Sequence, residues 1–215
     1  MLEFISNFGS LVVSSKQEVL SLLIQHIYLS AAAIILAALI AIPGGILISR
    51  VEILGGPLIA IAGVLYNIPS LALFGLLVPF FGIGSVTALI ALCVYAILPL
   101  LRNTYIGLTE VDPAIVEAAK GMGVNNRQLL WRVQLPLALP VIMTALRQVV
   151  VMTIGVTAIA AFVGAGGLGI LVFRGRAMMD TPMIVYSTLL IAILAVMSDR
   201  SLGFLEQKIR EKMGV

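Results

Sequence analysis

The residue types that ordinarily carry chemistry stand alone in this chain. His26 is the sole histidine and Cys93 the sole cysteine among 215 residues. A metal or redox centre needs several such ligands at close spacing, so the pattern offers neither a metal site nor an internal disulfide. The run Gly164-Ala165-Gly166-Gly167-Leu168-Gly169 fits the dinucleotide pattern G-x-G-x-x-G. It follows a long apolar run and has no strand–turn–helix unit around it, so a flexible turn or re-entrant loop is the expected structure. No G-x-x-x-x-G-K-[ST] phosphate loop occurs, which leaves the chain without an ATP site of that kind. With no nucleophile paired to a base either, the chain reads as a non-enzyme with no cofactor of its own. The one concentration of polar residues is Glu117–Pro136, EAAKGMGVNNRQLLWRVQLP, where two glycines, two arginines and the lone tryptophan interrupt Leu, Ile, Val and Ala.

The elements that position this block are apolar throughout. Hydrophobic residues make up 61 % of the chain and charged ones 11 %, with mean hydropathy +1.16. A soluble domain carries about twice that share of charge, so the surrounding solvent is lipid. Charges are missing from 19–49, 53–101, 148–173 and 181–198. At about 1.5 Å per residue, a hydrocarbon core of about 30 Å takes roughly 20 residues per crossing. The expected architecture is all-α and integral to the membrane, one domain over 1–215, with five spans near 22–48, 57–80, 84–101, 137–162 and 181–199. The last span is short and is expected to end among interfacial charges.

Five spans place the termini on opposite sides. With the N-terminus outside, Arg50, Arg102, Lys120, Arg127, Arg132, Arg200, Lys208, Arg210 and Lys212 lie on the cytoplasmic face, against Lys16, Arg174 and Arg176 outside. The excess of basic residues favours this orientation. The net charge of +3 therefore reflects topology and points to no nucleic-acid partner. Met1 to Glu18 lacks the pattern of a cleaved signal peptide, so the first span is expected to act as its own insertion signal. His26 falls at the outer interface.

Three features stand out within the spans. Ala33, Ala37, Ala41 and Gly45 recur every four residues and predict a face on which another helix packs closely. The second span is interrupted by Asn67-Ile68-Pro69-Ser70, with Tyr66 alongside. Proline removes a backbone hydrogen bond, so the segment is either a simple kink or a broken helix lining a translocation route. Arg147 is the ionisable residue deepest in a span, with no Asp or Glu expected at its depth. It either faces the bundle interior or a water-filled cavity, or snorkels to the inner headgroups.

The polar block reads locally as two short helices on the cytoplasmic side. Asp112 caps the first, Pro113 fits its first position, and Gly121 or Gly123 ends it. Asn125-Asn126 starts the second, with Leu129, Leu130 and Val133 along one side, and Pro136 and Pro140 lead into the fourth span. Ala118 and Ala119 predict a smooth surface, so the block is either an interfacial loop tidied by its caps or a face suited to docking in a groove of another protein.

The spacing of Glu117-Ala118-Ala119, Gly123, Val133 and Leu135-Pro136 resembles the EAA loop of bacterial ABC importer permeases, with Val133 where that pattern favours Ile. The stretches from Asn67 to Leu108 and from Ile154 to Gly169 are similar to the osmoprotectant subfamily, which imports glycine betaine, carnitine or choline. The segment 169–182 departs from that subfamily's pattern. The resemblance implies the type I importer permease fold in the bacterial cytoplasmic (inner) membrane. It implies a docking role in ATPase coupling for Glu117, Ala118, Ala119 and Gly123 within a loop spanning 112–136, to which Arg127 and Trp131 are added as neighbours. It further implies a second permease copy or a sister permease, two cytoplasmic ATP-binding subunits that hold ATP and magnesium, and an extracytoplasmic substrate-binding protein. Tyr66, Asn67, Pro69, Ser70 and Arg147 are the candidates for the substrate pathway. The alternatives are a methionine or other amino-acid importer permease and, from another class, a stand-alone channel.

Overall fold

The computed structural model describes residues 16–213, which are helical throughout apart from short connections. The segment read as lacking a signal peptide lies mostly outside the described residues. Helix α1 covers Lys16–Arg50, α2 Glu52–Tyr66, α3 Ser70–Phe81 and α4 Ser85–Thr109. Helix α5 is Pro113–Gly121 and α6 is Asn126–Leu129, which runs through a π turn at Leu130–Gln134 into α7, Leu135–Ala160. Helices α8, Gly169–Ala177, and α9, Thr181–Met213, complete the chain.

The small-residue face of α1 is the heart of the packing. Ala33, Ala37 and Ala41 are fully buried, and a Cβ on Gly45 would come within 2.6 Å of the Thr104 Cβ on α4. Small side chains let the backbones close up and gain van der Waals contact, which is what drives helix association in lipid. Ala96 and Leu100 of α4 and Ala145 and Val149 of α7 join Ala37 and Ala41 in one cluster, so α1, α4 and α7 form the core.

Hydrogen bonds fix the direction of each pass. α1 begins beside Leu168, whose N–H donates to His26 Nδ1 at 3.3 Å, and ends beside Asn126, whose carbonyl accepts from Arg50 at 3.1 Å. α4 begins where the Gly84 N–H donates to the Val163 carbonyl at 2.8 Å, at the far end of α7. Between Arg50 and Gly84 the chain must therefore return from the Asn126 end to the Val163 end. α2 and α3 make that return together, bent by 95° at their junction. The bundle thus has five end-to-end passes among the described residues, the second of them broken.

Three sequence expectations gain detail. His26 is fully buried between helices, near the end of the bundle away from Arg50. Its Nε2 lies 2.9 Å from the Ile154 carbonyl while Nδ1 accepts from Leu168, so both ring nitrogens hold α1 against α7 and the following loop. The glycine run is correspondingly a pinned turn. Gly164, Gly166 and Gly167 have left-handed φ of 73°, 89° and 81°, and a Cβ on Gly169 would sit 1.9 Å from the Ala158 carbonyl oxygen. Only glycine permits this approach. The final helix continues well past residue 199, to Met213, because Asp199, Glu206 and Arg210 find partners along it.

Candidate functional site

Two regions of the fold present polar or unpartnered groups. The first is the 112–136 block. Asp112 Oδ1 accepts from the Ala114 N–H at 2.8 Å and, with Pro113, starts α5. The helix ends with Val124 N–H donating to the Ala119 carbonyl at 3.3 Å and Gly123 N–H to the Lys120 carbonyl at 2.9 Å. That bond pair, with Gly123 at φ +80°, is a Schellman stop in which the glycine is required by its backbone angle. Asn125 and Gln128 then form a reciprocal capping box, at 2.9 and 3.1 Å, that opens α6.

The second helix of the block does not end before the span. Pro136 has no N–H and its ring would crowd the carbonyl four residues back. The π turn inserts an extra residue there, with Leu135 N–H reaching the Leu130 carbonyl, and the helix runs unbroken into α7. Asn126–Val163 is in consequence one element of 38 residues. Leu129 and Leu130 anchor it by burial.

The surface of the block differs in one respect from the sequence reading. Ala119 is 3 % exposed and turns its methyl inward, so it packs the loop on its own chain and forms no outer surface. Glu117 and Ala118 are exposed, as are Gly123 and Arg127. Ile115 and Met122 are exposed as well, and with Ala118 they lie at i, i+3 and i+7, an apolar stripe on one side of α5 that sequence reasoning missed. The periodicity alone marked it, but an i, i+3, i+7 pattern ordinarily signals a buried face. Trp131, 61 % exposed, lines a shallow cavity of about 250 Å³ with Arg127, Gln128 and Arg132. The block is thus rigid in its backbone, anchored by Ala119, Leu129 and Leu130, and bare on its outer side.

The second region, the cleft at the 95° bend between α2 and α3, has Tyr66, Ile68 and Met152 half-buried against the core. Asn67 caps α2 by donating its amide to the Gly63 carbonyl at 2.8 Å, and Pro69 starts the next helix as its N-cap. The Tyr95 hydroxyl of α4 donates to the Ile68 carbonyl, one of the acceptors that the break sets free. Tyr66 and Tyr95 meet edge to face with centroids 6.0 Å apart, and the Tyr66 hydroxyl lies 3.5 Å from Met152 Sδ. Asn67 and Pro69 are exposed, and Tyr66 and Ser70 half-buried. On α7, next to Met152, the residues Gln148, Val151 and Gly155 form an exposed stripe. Gln148, Met152 and Tyr95 were not singled out from the sequence. An amide at the middle of an apolar run was the available signal for Gln148.

Arg147 flanks that stripe on the other side, and here the expectation of no acidic partner fails. Its Nε and Nη2 donate to Asp199 at 3.1 and 2.9 Å and its Nη1 to Glu206 at 2.9 Å. Glu206 also accepts from Thr144 at 3.0 Å and Arg210 at 3.1 Å. Gly203 leaves room for this, since its Cβ would lie 3.1 Å from the guanidinium carbon. Asp199, Gly203, Glu206 and Arg210 recur at spacings of four, three and four, one face of α9. Arg147 therefore joins α7 to α9 and is neutralised by that helix. It neither snorkels nor offers a free charge to the cleft. At the opposite end of the bundle, Glu18 pairs with Arg174 at 2.8 Å, and that hydrogen bond pushes the guanidinium's affinity for its proton above the ordinary value.

Comparison with known proteins gives a consistent result. The profile of the family described as "Binding-protein-dependent transport system inner membrane component" matches residues 34–211. The glycine betaine/carnitine/choline transport system permease protein OpuCD of Bacillus subtilis is 38 % identical over 217 residues, covering 99 % of this chain and 95 % of that protein. The osmoprotectant import permease protein OsmW of Salmonella typhimurium is 44 % identical over 184 residues, covering 83 % of this chain and 86 % of that protein. Among solved structures, a chain of the inward-facing MetNI methionine ABC transporter superposes with a TM-score of 0.82 at 22 % identity, over 89 % of this chain and 95 % of that one. That likeness shows the fold, which is the type I importer permease fold.

Proposed function

Since this chain belongs to the binding-protein-dependent transport system inner membrane component family, we propose that it is the membrane-spanning subunit of an ATP-driven importer of glycine betaine, carnitine or choline. The observation that carries the substrate class is the identity of 38 % to 44 % with permeases named for those compounds and for osmoprotectants, over most of both chains. The bare outer side of the 112–136 block supports coupling to a separate ATP-binding subunit. Glu117, Ala118, Ile115 and Met122 are the groups that meet it, while Gly123 and Ala119 hold the helix that presents them.

The block lies on the cytoplasmic side in this reading, because Arg50, Arg102, Lys120, Arg127, Arg132 and Arg200 gather at that end. The N-terminus is then outside and α8 faces the extracytoplasmic binding protein. Two permease chains, this one with a copy or a sister, enclose the pathway, and two ATPases drive it. ATP binding draws the two coupling blocks together, and each block moves its α7 because the two are one helix. The cleft at Tyr66, Asn67, Ser70 and Gln148 is the portion of the wall this chain contributes.

The test is purification of the tagged chain from its native membrane, followed by reconstitution of whatever assembles with it. An ATP-binding subunit is expected to copurify. Vesicles holding the assembly and its binding protein are expected to accumulate labelled glycine betaine, carnitine or choline only with ATP. ATP-independent conductance by the chain alone would instead establish a channel, and uptake of methionine in place of the quaternary amines would move the substrate class.

A further inference from the structure

The cleft holds a combination that the coupling role leaves unused. Tyr66 is placed by contacts on two sides, its hydroxyl on Met152 Sδ at 3.5 Å and its ring set at 69° to that of Tyr95. Tyr95 is itself buried and tied to the Ile68 carbonyl, so the wall behind Tyr66 belongs to the rigid core. In front, the fold leaves space. A Cβ added at Gly155 or at Gly63 would meet nothing within 4 Å. Gln148 and Asn67 expose amides at mid-helix depth on this side. An exposed amide in the hydrocarbon is unfavourable, so the stripe faces water or a second chain and not lipid.

The electrostatics of this space are those of a neutral, soft surface. The guanidinium on the same stretch of α7, Arg147, is turned to α9 and compensated by Asp199 and Glu206. Asn67 uses its N–H on Gly63, which leaves its side-chain oxygen without a donor among the described residues. A quaternary ammonium group has no N–H, and its charge is spread over methyl groups. A hydrogen-bond acceptor cannot select it, and a bare carboxylate would hold it too long for passage. A π face, a thioether and neutral oxygens suit it.

We propose that Tyr66, with Met152 and the side-chain oxygens of Asn67 and Gln148, forms a mid-membrane station for the quaternary ammonium group of the passing substrate. The proposal rests on the importer reading above. The Tyr66 ring supplies a cation–π contact, Met152 fixes the ring by its hydroxyl, and the open positions at Gly63 and Gly155 admit the methyl groups. The station raises the rate at which the substrate leaves its binding protein and traverses the bundle. It leaves the concentration dependence of uptake, which the binding protein sets, unchanged.

The test uses the reconstituted assembly with its ATPase and binding protein. Tyr66→Phe serves as the baseline, and phenylalanines carrying one, two and three ring fluorines are then placed at 66. Fluorination drains the ring face of negative charge with little change in shape. Tyr66→Phe keeps the ring but loses the hydroxyl contact to Met152, so it is expected to lower the maximal uptake rate itself, and the fluorinated series is read against it. The fluorinated series is expected to fall stepwise to roughly a tenth, equivalent to about 1.4 kcal/mol of lost cation–π stabilisation. Half-saturating substrate should not change. A flat series with uptake intact overturns the station and leaves the importer reading standing. If the native assembly transports no quaternary amine at all, the importer reading fails and the station fails with it.

Discussion

Removing the Arg147 guanidinium is the sharpest test of what holds α9 in place. Only 6 % of the most apolar window of α9 is buried in the chain, so packing contributes little there. A cavity of about 690 Å³, lined by Ala31 and Ile34 of α1, Val150 of α7 and Leu194 and Met197 of α9, leaves the helix partly detached along its middle. Its attachment near residues 199–210 is then largely ionic. In Arg147→Met, Asp199, with 36 % of its side chain exposed, can turn to water, and its share is that of a surface pair, about 0–1 kcal/mol. Glu206 is 9 % exposed and would be left with Thr144 and Arg210 alone. Stranding a fully buried charge costs about 3–5 kcal/mol, and the two remaining partners bring this case well below that. The sum is about 2–3 kcal/mol for Arg147→Met. Replacing Arg147 by Met and both Asp199 and Glu206 by Leu strands no carboxylate, so the triple variant is expected within about 1 kcal/mol of the native chain. The assay is reversible unfolding in mixed detergent micelles, followed by helical circular dichroism, with a double-mutant cycle between Arg147→Met and Glu206→Leu. A coupling energy of about 1–2 kcal/mol is expected. Additive single effects, or a triple variant worse than either single one, would refute the reasoning.

Other substitutions probe the loop and the pinned turn. Gly169→Ala places a methyl where the Ala158 carbonyl oxygen stands 1.9 Å away, and it is expected to cost more than about 3 kcal/mol in the same unfolding assay, since backbone itself must move. Gly75→Ala on α3, with nothing within 4 Å, is the control and is expected to be neutral or to gain about 0.5–1 kcal/mol. Gly123→Ala should lose about 1 kcal/mol through its φ of +80°, and Gly123→Asn less, because asparagine tolerates that region; equal losses would mean that space and not backbone angle selects the glycine. Glu117→Ala is expected to leave the unfolding midpoint unchanged while ATP-driven uptake falls at least several-fold. Ala119→Leu is expected to lower the midpoint itself, and a stable Ala119→Leu chain with normal helicity would contradict the inward placement of that methyl.

What the sequence disclosed and what it withheld divide along the range of the interactions. The caps at Asp112, Gly123 and Asn125 involve neighbours a few residues apart, so their chemistry is written in adjacent letters. The stripe from Ala33 to Gly45 is equally local, being a property of one helix face. Arg147 pairs with residues 52 and 59 positions away, and His26 with one 142 away. No local pattern predicts such pairings, because they depend on which helices become neighbours. The spacing of Asp199, Gly203 and Glu206 on one face was nonetheless readable as a site waiting for a cation. The expected outward placement of Ala119 failed for a related reason. An alanine beside a charged exposed residue looks like surface, and only the fold of α5 against the π turn shows that its methyl points the other way.

The continuity of Asn126–Val163 decides how the two regions can act on one another. At about 1.5 Å per residue its 38 residues extend some 57 Å, against about 30 Å of hydrocarbon. One end carries Trp131 among the exposed arginines, and the far third carries Met152 against Tyr66 together with Ile154 and Ala158, which meet His26 and Gly169. A hinge at Pro136 would have separated the coupling block from the cleft. The π turn keeps the helical hydrogen bonding through that point, so a displacement of the block is carried to Met152 as motion of one body. The Tyr66–Met152 contact is the weakest join on that path, a hydroxyl on sulfur at 3.5 Å, whereas the His26 contacts and the ion pairs to α9 are shorter and more numerous. Movement of α7 will therefore carry α1 and α9 with it and slip against the α2–α3 break. In the importer proposed above, Tyr66 is then the expected point of slip, because that is where the moving body is least tied to the rest.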